Sequence, residues 1–297
     1  MSLVDEWILL AQINQIIQKK NPMGKKIIPA LWFDHQAHEA FSFYTAIFPQ
    51  SKIITQNPSV VETELFNQKF IGINGGPIFR PNPSISFTLV LEDKGLIQQI
   101  WDKLEEEGKA LMPLQSYEFS ELYGWVEDRY GFSWQLFYAD RPGYNEASIL
   151  PSLMFCGDQQ GRCEQALNFY QALFSDFQTN MLIHYPDGDF SGQVMYSQFD
   201  LRGTTLTAMD SGIAQDFSFN EAVSLTIPCI DQQEIDYFWD RLTTDGEQSN
   251  CGWCKDPFGV SWQVVPQELA ELLRHPRAIE RFQRMKKINI QELRDVI

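Results

Sequence analysis

The 297-residue sequence predicts an α+β fold in which one domain occurs twice in tandem and each copy holds two βαβββ units. The repetition is clearest in GWVEDRYGFSWQ at 124–135 and GWCKDPFGVSWQ at 252–263, which share seven of twelve residues. Three earlier pairs recur in the same order: 27–33 with 149–155, 43–49 with 169–175, and 85–108 with 223–246. Four matches in one order indicate a domain duplication, and the 44% hydrophobic content is enough to fill a sizeable core.

The first half of copy one has the pattern of one βαβββ unit. An apolar run predicts a buried strand, and apolar residues at helical spacing before Pro49 predict a helix. Alternating residues then predict a strand and a hairpin that turns at Asn67-Gln68. The expected elements are, in order, a strand at 27–33, a helix at 37–48, a strand at 51–56 and a hairpin at 60–75.

The second half of copy one repeats this order. Residues 84–93 predict a strand, and 95–108 predict a helix that Gly108 ends. A hairpin follows at 122–138, with Asp128 and Gly131 in its turn. The helix is expected to bury four side chains: Leu96, Ile100, Trp101 and Leu104. The stretch 109–123 is about ten residues longer than its counterpart in copy two, which predicts either a lid or a tolerated loop.

Helical patterns occur at both ends of the chain. Ser2 and Asp5 resemble a capping pair before apolar residues at helical spacing, which predicts an N-terminal helix. Residues 266–297 also have helical patterns, with Asn289 as a helix cap. The expected domains are an N-terminal helix at 1–24, copy one at 25–144, and copy two with the C-terminal helices at 145–297.

Charge and cysteine usage narrow the classes of partner. The formal net charge is −16, which argues against nucleic acid and anionic membrane surfaces as partners. No apolar run approaches the roughly 20 residues needed to cross a bilayer. Asp5 and Glu6 stand where a signal peptide would be basic, and the five cysteines are an odd number, so a cytoplasmic location is expected.

The pair Cys251 and Cys254 has the spacing of a redox motif or of half a zinc site. Copy one carries Tyr123 and Val126 at the matching positions, so the same scaffold exists there without a thiol. The residues that follow predict a turn and a strand, whereas reactive pairs usually begin a helix. Two incidental cysteines are the favoured interpretation, and a redox role stays open.

Four motifs of copy one form a recognisable set: Pro29–Phe33, NGGP at 74–77, ISF at 85–87 and GW…D..G.SWQ at 124–135. Paired βαβββ units with these motifs resemble the vicinal oxygen chelate superfamily, which includes glyoxalase I, extradiol dioxygenases and bleomycin resistance proteins. The pattern is most similar to the PhnB-like family, also labelled 3-demethylubiquinone 3-methyltransferase. This resemblance implies curved, mostly antiparallel sheets, and a single chain that reproduces the family's usual dimer.

The resemblance also implies where a metal would be held, namely on the first strand of each unit and on the last strand. Carried onto this sequence, those positions are Pro29, Ser86 and Gln135 in copy one, and Pro151, Ser224 and Gln263 in copy two. An imino acid, a hydroxyl and a neutral amide make a poor set, because transition metals prefer imidazole, thiolate or carboxylate. No metal and no cofactor are therefore expected.

The strands on which those positions lie also predict a ligand cleft. If Pro29 faces the cleft, alternation brings further apolar and hydroxyl side chains to the same face. The expected lining is Phe33, Ser86, Thr88, Trp125, Gln135 and Phe137 from copy one, with Phe155, Ser224, Thr226, Trp253 and Gln263 from copy two. Such a lining suits a small, partly aromatic or amphipathic molecule.

The sequence thus predicts a metal-free protein that binds or sequesters a small molecule, either as a monomer with an internal pseudo-dimer or as a homodimer. The alternative is an enzyme of the superfamily, a lyase, isomerase, dioxygenase or transferase, with an atypical metal site. Methyl transfer is the least favoured idea, because no glycine-rich strand-to-helix loop suited to S-adenosylmethionine is found in the sequence.

Overall fold

The structure is a computed structural model that describes residues 26–139 and 148–296. The predicted N-terminal helix at 1–24 lies outside the described residues. Unit 1 comprises β1 (Ile28–Phe33), α1 (Ala37–Ile47), β2 (Lys52–Gln56), β3 (Val60–Leu65) and β4 (Gln68–Asn74). Unit 2 comprises β5 (Ile85–Leu91), α2 (Lys94–Glu105), β6 (Lys109–Tyr117), β7 (Ser120–Glu127) and β8 (Ser133–Tyr138).

Copy two has the same order, which confirms the predicted arrangement of four βαβββ units. Unit 3 comprises β9 (Ser148–Phe155), α3 (Cys163–Leu173), β10 (Gln178–His184), β11 (Val194–Leu201) and β12 (Thr204–Asp210). Unit 4 comprises β13 (Val223–Cys229), α4 (Gln232–Thr243), β14 (Glu247–Gln248), β15 (Trp253–Lys255) and β16 (Ser261–Pro266). Three short C-terminal helices follow: α5 (Leu269–Leu272), α6 (Pro276–Phe282) and α7 (Ile290–Arg294).

The strands form two mixed eight-stranded sheets, and each sheet joins one unit from each copy. Sheet A has the order β14-β15-β16-β13-β1-β4-β3-β2, so it combines units 4 and 1. Sheet B has the order β10-β11-β12-β9-β5-β8-β7-β6, so it combines units 3 and 2. At the centre of each sheet the two copies meet in an antiparallel pair, β1 with β13 and β5 with β9. The two copies are therefore interlocked.

Each sheet has a core face, which packs on helices and on the other sheet, and an outer face, which points away from them. Phe70 of sheet A and Phe87 of sheet B meet between the core faces, with ring centroids 5.3 Å apart. Trp134 and Trp262 are both buried in this core.

A buried aspartate closes the hairpin at the end of each copy. Asp128 accepts hydrogen bonds from the Tyr44 hydroxyl at 2.6 Å and from the Trp134 indole at 2.8 Å. Asp256 accepts the matching bonds from Tyr170 at 2.7 Å and Trp262 at 2.9 Å. The repeated motif thus ties its turn to the first helix of the same copy.

Three local predictions are corrected. The β3–β4 turn is centred on Phe66 and Asn67, both at positive φ, as a two-residue hairpin loop of type I′ requires. Helix α2 buries Ile97, while Leu96 is half-buried beside the core. The stretch 109–123 is neither lid nor loop, since it forms β6 and the start of β7.

The C-terminal segment is less helical than its pattern predicts. Helix α6 ends at Phe282 because the chain from there to residue 288 runs along the β14–β15 connection, where Met285 and Lys286 accept backbone hydrogen bonds. Asn289 caps α7 as expected, accepting from the Glu292 amide at 3.1 Å. Among the described helices, none is long and apolar enough to cross a lipid bilayer.

Candidate ligand-binding site

The first strand of each copy turns toward the core the side chains that the sequence analysis placed in the cleft. Phe33 packs on Phe41 of α1, with ring centroids 5.9 Å apart, and Phe155 packs on Phe219 at 5.0 Å. Pro29 pairs with the core residue Leu225, so the intervening residues of β1 point outward. Phe33 and Phe155 therefore lie on the core faces, as do Pro29 and Pro151, and they do not join the other expected cleft residues.

The remaining predicted residues of copy one lie together on the outer face of sheet B. Thr88 is opposite Gln135, and Gln135 is in turn opposite Trp125. Phe137 lies beside them, opposite Val90 and Tyr123. The Gln135 amide nitrogen donates to the Ser86 hydroxyl at 2.8 Å, so the two positions implied by the family resemblance are in direct contact.

A row of polar side chains crosses five neighbouring strands of this face. Strand pairing aligns them in the order Ser133, Ser86, Ser152, Thr207 and Gln198. The Ser152 hydroxyl receives a hydrogen bond from Thr207 at 2.7 Å and lies 2.8 Å from the Thr88 hydroxyl. We call this set, together with Thr88 and Gln135, the polar row of sheet B.

Sequence reasoning missed three members of this row, Ser152, Thr207 and Gln198, because they belong to copy two. If the predicted alternation on β9 had been shifted by one residue, Ser152 would have been assigned to the cleft in place of Pro151. It also missed Tyr123, whose hydroxyl donates to the Gln135 carbonyl oxygen at 2.8 Å. Burial, and to a lesser extent Tyr117, raises the pKa of Tyr123, so this side chain stays a neutral donor.

Several buried polar atoms on this face have no partner among the described residues. They are the Gln198 amide nitrogen, the Trp125 indole nitrogen and the Ser133 hydroxyl. Gln198 is only 1% exposed, and leaving such a donor unpaired costs about 1–3 kcal/mol. The face therefore holds buried hydrogen-bond donors that no described residue satisfies.

The outer face of sheet A holds the predicted residues of copy two. Gln263 donates to the Ser224 hydroxyl at 2.9 Å, which repeats the Gln135–Ser86 bond. Thr226 and Trp253 are each paired with Gln263 across neighbouring strands. The positions that match Ser152 and Thr207 carry Ala30 and Ile71, which are opposite each other in register. Sheet A therefore lacks the two hydroxyls that β9 and β12 contribute to the polar row of sheet B.

The residues on both outer faces fit a bound metal ion poorly. The implied set of copy one is divided, since Pro29 is in sheet A while Ser86 and Gln135 are in sheet B. The donors that do meet are neutral hydroxyls and amides, which are weak ligands for transition metals. Within residues 26–139 and 148–296, no group of three or more His, Cys, Asp or Glu side chains could hold a metal.

The two cysteines of the C-x-x-C segment do not form a thiol active site. Cys254 lies on β15 opposite Trp262, on the core face, and burial together with Asp256 raises its pKa. Cys251 is in the preceding turn at φ 59°, and burial raises its pKa as well. Both side chains are therefore thiols at neutral pH, whereas a redox pair needs a thiolate.

Comparison with known proteins supports the duplication. The family model described as 3-demethylubiquinone-9 3-methyltransferase matches residues 25–137 and again 147–265. A PhnB protein from Bacillus cereus is 35% identical over 37% of this chain and 96% of its own, with a TM-score of 0.35. Glyoxalase I from Zea mays is 12% identical, the match covers 85% of this chain and 98% of the maize chain, and the TM-score is 0.55. That likeness shows the fold alone. Among curated proteins, none matches the chain.

Proposed function

The chain belongs to the 3-demethylubiquinone-9 3-methyltransferase family, in two tandem PhnB-like copies with the glyoxalase fold, and we propose that it binds an uncharged small molecule on the outer face of sheet B. The observation that carries this proposal is the polar row with its buried, unpaired donors. Gln198 on β11 and Trp125 on β7 are separated by four strands of the sheet, so each nitrogen would need its own acceptor on the ligand. The row itself contains hydroxyls and amides but no charged side chain, which favours a neutral ligand.

The walls beside the polar row suit an apolar or aromatic body. Tyr123 lies edge-on to Phe119, with ring centroids 5.0 Å apart, and to Phe137 at 6.4 Å. Tyr117 stacks on Phe119 at the tip of the β6–β7 hairpin. Small-molecule sites typically combine such walls with a few placed polar groups. This combination supports the proposed binding of a small, partly aromatic molecule.

The name of the family is not by itself evidence that this chain transfers methyl groups. Among the described strand-to-helix connections, only the one between β9 and α3 contains two glycines, Gly157 and Gly161. Its helix amide at Cys163 is already bonded to the Asp210 carboxylate at 3.1 Å. A carboxylate at this position disfavours the anionic group that such loops usually hold. We therefore derive no step through a methyl donor.

A pair of matched variants tests the proposal. A library of neutral aromatic carbonyl compounds is screened by thermal shift against the wild type, Gln135→Ala and Gln263→Ala. We expect compounds that stabilise the wild type to lose their shift in Gln135→Ala and to keep it in Gln263→Ala. If every stabilising compound keeps its shift in Gln135→Ala, the assignment to sheet B is wrong.

Elemental analysis of protein purified without chelator separates binding from metal-dependent catalysis. We expect less than one divalent ion per chain, because the donors that meet at Gln135 and at Gln263 are neutral hydroxyls and amides. One tightly held ion per chain, lost in Gln135→Ala or Gln263→Ala, would instead favour the atypical metalloenzyme.

A further inference from the structure

A separate cavity of about 370 Å³ opens on the outer face of sheet A. Its aromatic walls are Trp32, Phe79 and Trp253, and charged side chains of Glu221, Glu247 and Lys255 stand among the residues that line it. We propose that this aromatic slot binds a planar aromatic cation, as a second site distinct from the polar row. Its volume is within the range of small-ligand sites.

The walls of the aromatic slot are held in place before any ligand binds. The Trp32 indole nitrogen donates to the Gly76 carbonyl at 2.8 Å. Its ring lies so close to Gly75 that a Cβ added there would be 1.9 Å from it, so only glycine permits this position. Trp253 and Phe79 both meet Trp32 edge-on, with centroids 6.0 Å and 5.0 Å away. A pre-formed aromatic wall lowers the entropy cost of binding.

The charge at the aromatic slot favours a cation. Lys255 lies 2.9 Å from Glu221 and 3.8 Å from Glu247, so one ammonium faces two carboxylates. The whole chain carries a net charge of −16, which attracts cations at long range. A cation over an indole face is attracted by the negative face of the ring, and more strongly when water is excluded.

The described residues of sheet B do not repeat the Trp32 wall, which makes the inference specific to sheet A. The residue of β9 that matches Trp32 is Met154, while Trp253 has a true counterpart in Trp125. Trp125 therefore serves as a matched control that removes a tryptophan from the equivalent strand without touching the aromatic slot.

The test is calorimetric titration of the full chain at pH 7.5 with N-methylquinolinium, with quinoline as its uncharged analogue. We expect N-methylquinolinium to bind at least about ten-fold more tightly than quinoline. Trp253→Leu should weaken binding of the cation by about ten-fold or more, whereas Trp125→Leu should leave it unchanged. The double variant Glu221→Gln, Glu247→Gln should reduce the preference for the cation over quinoline.

Three results would overturn the aromatic slot: no measurable binding of N-methylquinolinium, equal binding of quinoline, or equal losses in Trp253→Leu and Trp125→Leu. The glutamine double variant keeps the test decisive if Trp253→Leu fails to fold. Gln135→Ala should bind N-methylquinolinium like the wild type, so failure at this site and failure at the polar row are distinguished.

Discussion

At the scale of single residues, the buried Asp128 is held by four donors. Its Oδ2 accepts from Tyr44 and Trp134, and its Oδ1 accepts from the backbone amides of Tyr130 at 2.8 Å and Phe132 at 3.0 Å. Asp256 has the same four kinds of partner. Donors so arranged leave no room for a ligand, which makes the aspartate of the repeated motif a structural residue.

Asp128→Asn is expected to destabilise the fold. An asparagine has only one acceptor oxygen, so its amide nitrogen must face either the Trp134 indole N–H or the two backbone N–H groups. At least one buried donor loses its partner, at a cost of about 1–3 kcal/mol in the free energy of unfolding. Urea denaturation checks this, with the exposed Asp102→Asn as control. Equal midpoints for the two variants would contradict the structural role.

The same aspartate gives a pH signature. Burial raises the pKa of Asp128 to about 6, even though its four hydrogen bonds act in the opposite direction. Because the folded state then binds the proton more tightly than the unfolded state, this contribution is present below about pH 4 and is lost as the pH rises through about 6. We expect the deficit of Asp128→Asn relative to the wild type to shrink over that range. A deficit that grows with pH would show that the ionised form is preferred.

At the scale of elements, helices α1 and α3 begin without a cap from their own sequence. Gln36 and Arg162 at the two N-cap positions make no side-chain cap bond. Instead, the last residue of a neighbouring strand caps each helix: Asn74 accepts from the Ala37 amide at 2.9 Å, and Asp210 accepts from Cys163. Each helix start is thereby fixed to the strand beside β1 or β9.

Asn74→Ala tests this capping across elements. Loss of a side-chain cap typically costs about 1 kcal/mol, and the Asn74 amide also donates to the Pro58 carbonyl at 2.9 Å. We expect a lower free energy of unfolding by about 1 kcal/mol or somewhat more. Hydrogen exchange should show faster exchange in the first turn of α1, with α3 unchanged. Unchanged exchange in α1 would mean that Asn74 does not hold that helix start.

These elements also show what a sequence can and cannot predict. The order of strands and helices followed from periodicity and repetition, which are local properties. Asn74 caps a residue that is 37 positions away in the sequence, and for Asp210 the separation is 47 positions. No local signal in the sequence therefore identifies these caps. Only part of the polar row was identified from the sequence, for two reasons. Alternation predicts that residues share a face without saying which face it is, and the partner strand β9 comes from the other copy.

At the scale of the whole molecule, the chain reproduces a two-fold assembly within itself. Ala30 of β1 is opposite Ser224 of β13, and Ser152 of β9 is opposite Ser86 of β5. Ala30 and Ser152 are matching positions of the repeat, as are Ser224 and Ser86. The two junctions therefore use the same register. The polar row exists only where the copies pair, so neither copy carries it alone.

This topology predicts how the isolated copies behave. Without copy two, residues 25–144 would expose β1 and β5 as unpaired edges, because their partners β13 and β9 are missing. Since the registers match, β1 of one fragment can pair with β5 of a second, and the reciprocal pairing closes a two-fold dimer.

Light scattering after gel filtration measures this directly. We expect residues 25–144 alone to have twice the mass of one fragment or to aggregate, and co-expressed residues 145–297 to convert them into a one-to-one complex. Only that complex should recover ligand shifts that depend on Gln135, because Ser152, Thr207 and Gln198 come from the second fragment. A fragment 25–144 that is monomeric, folded and cooperative in thermal unfolding would contradict the interlocked arrangement.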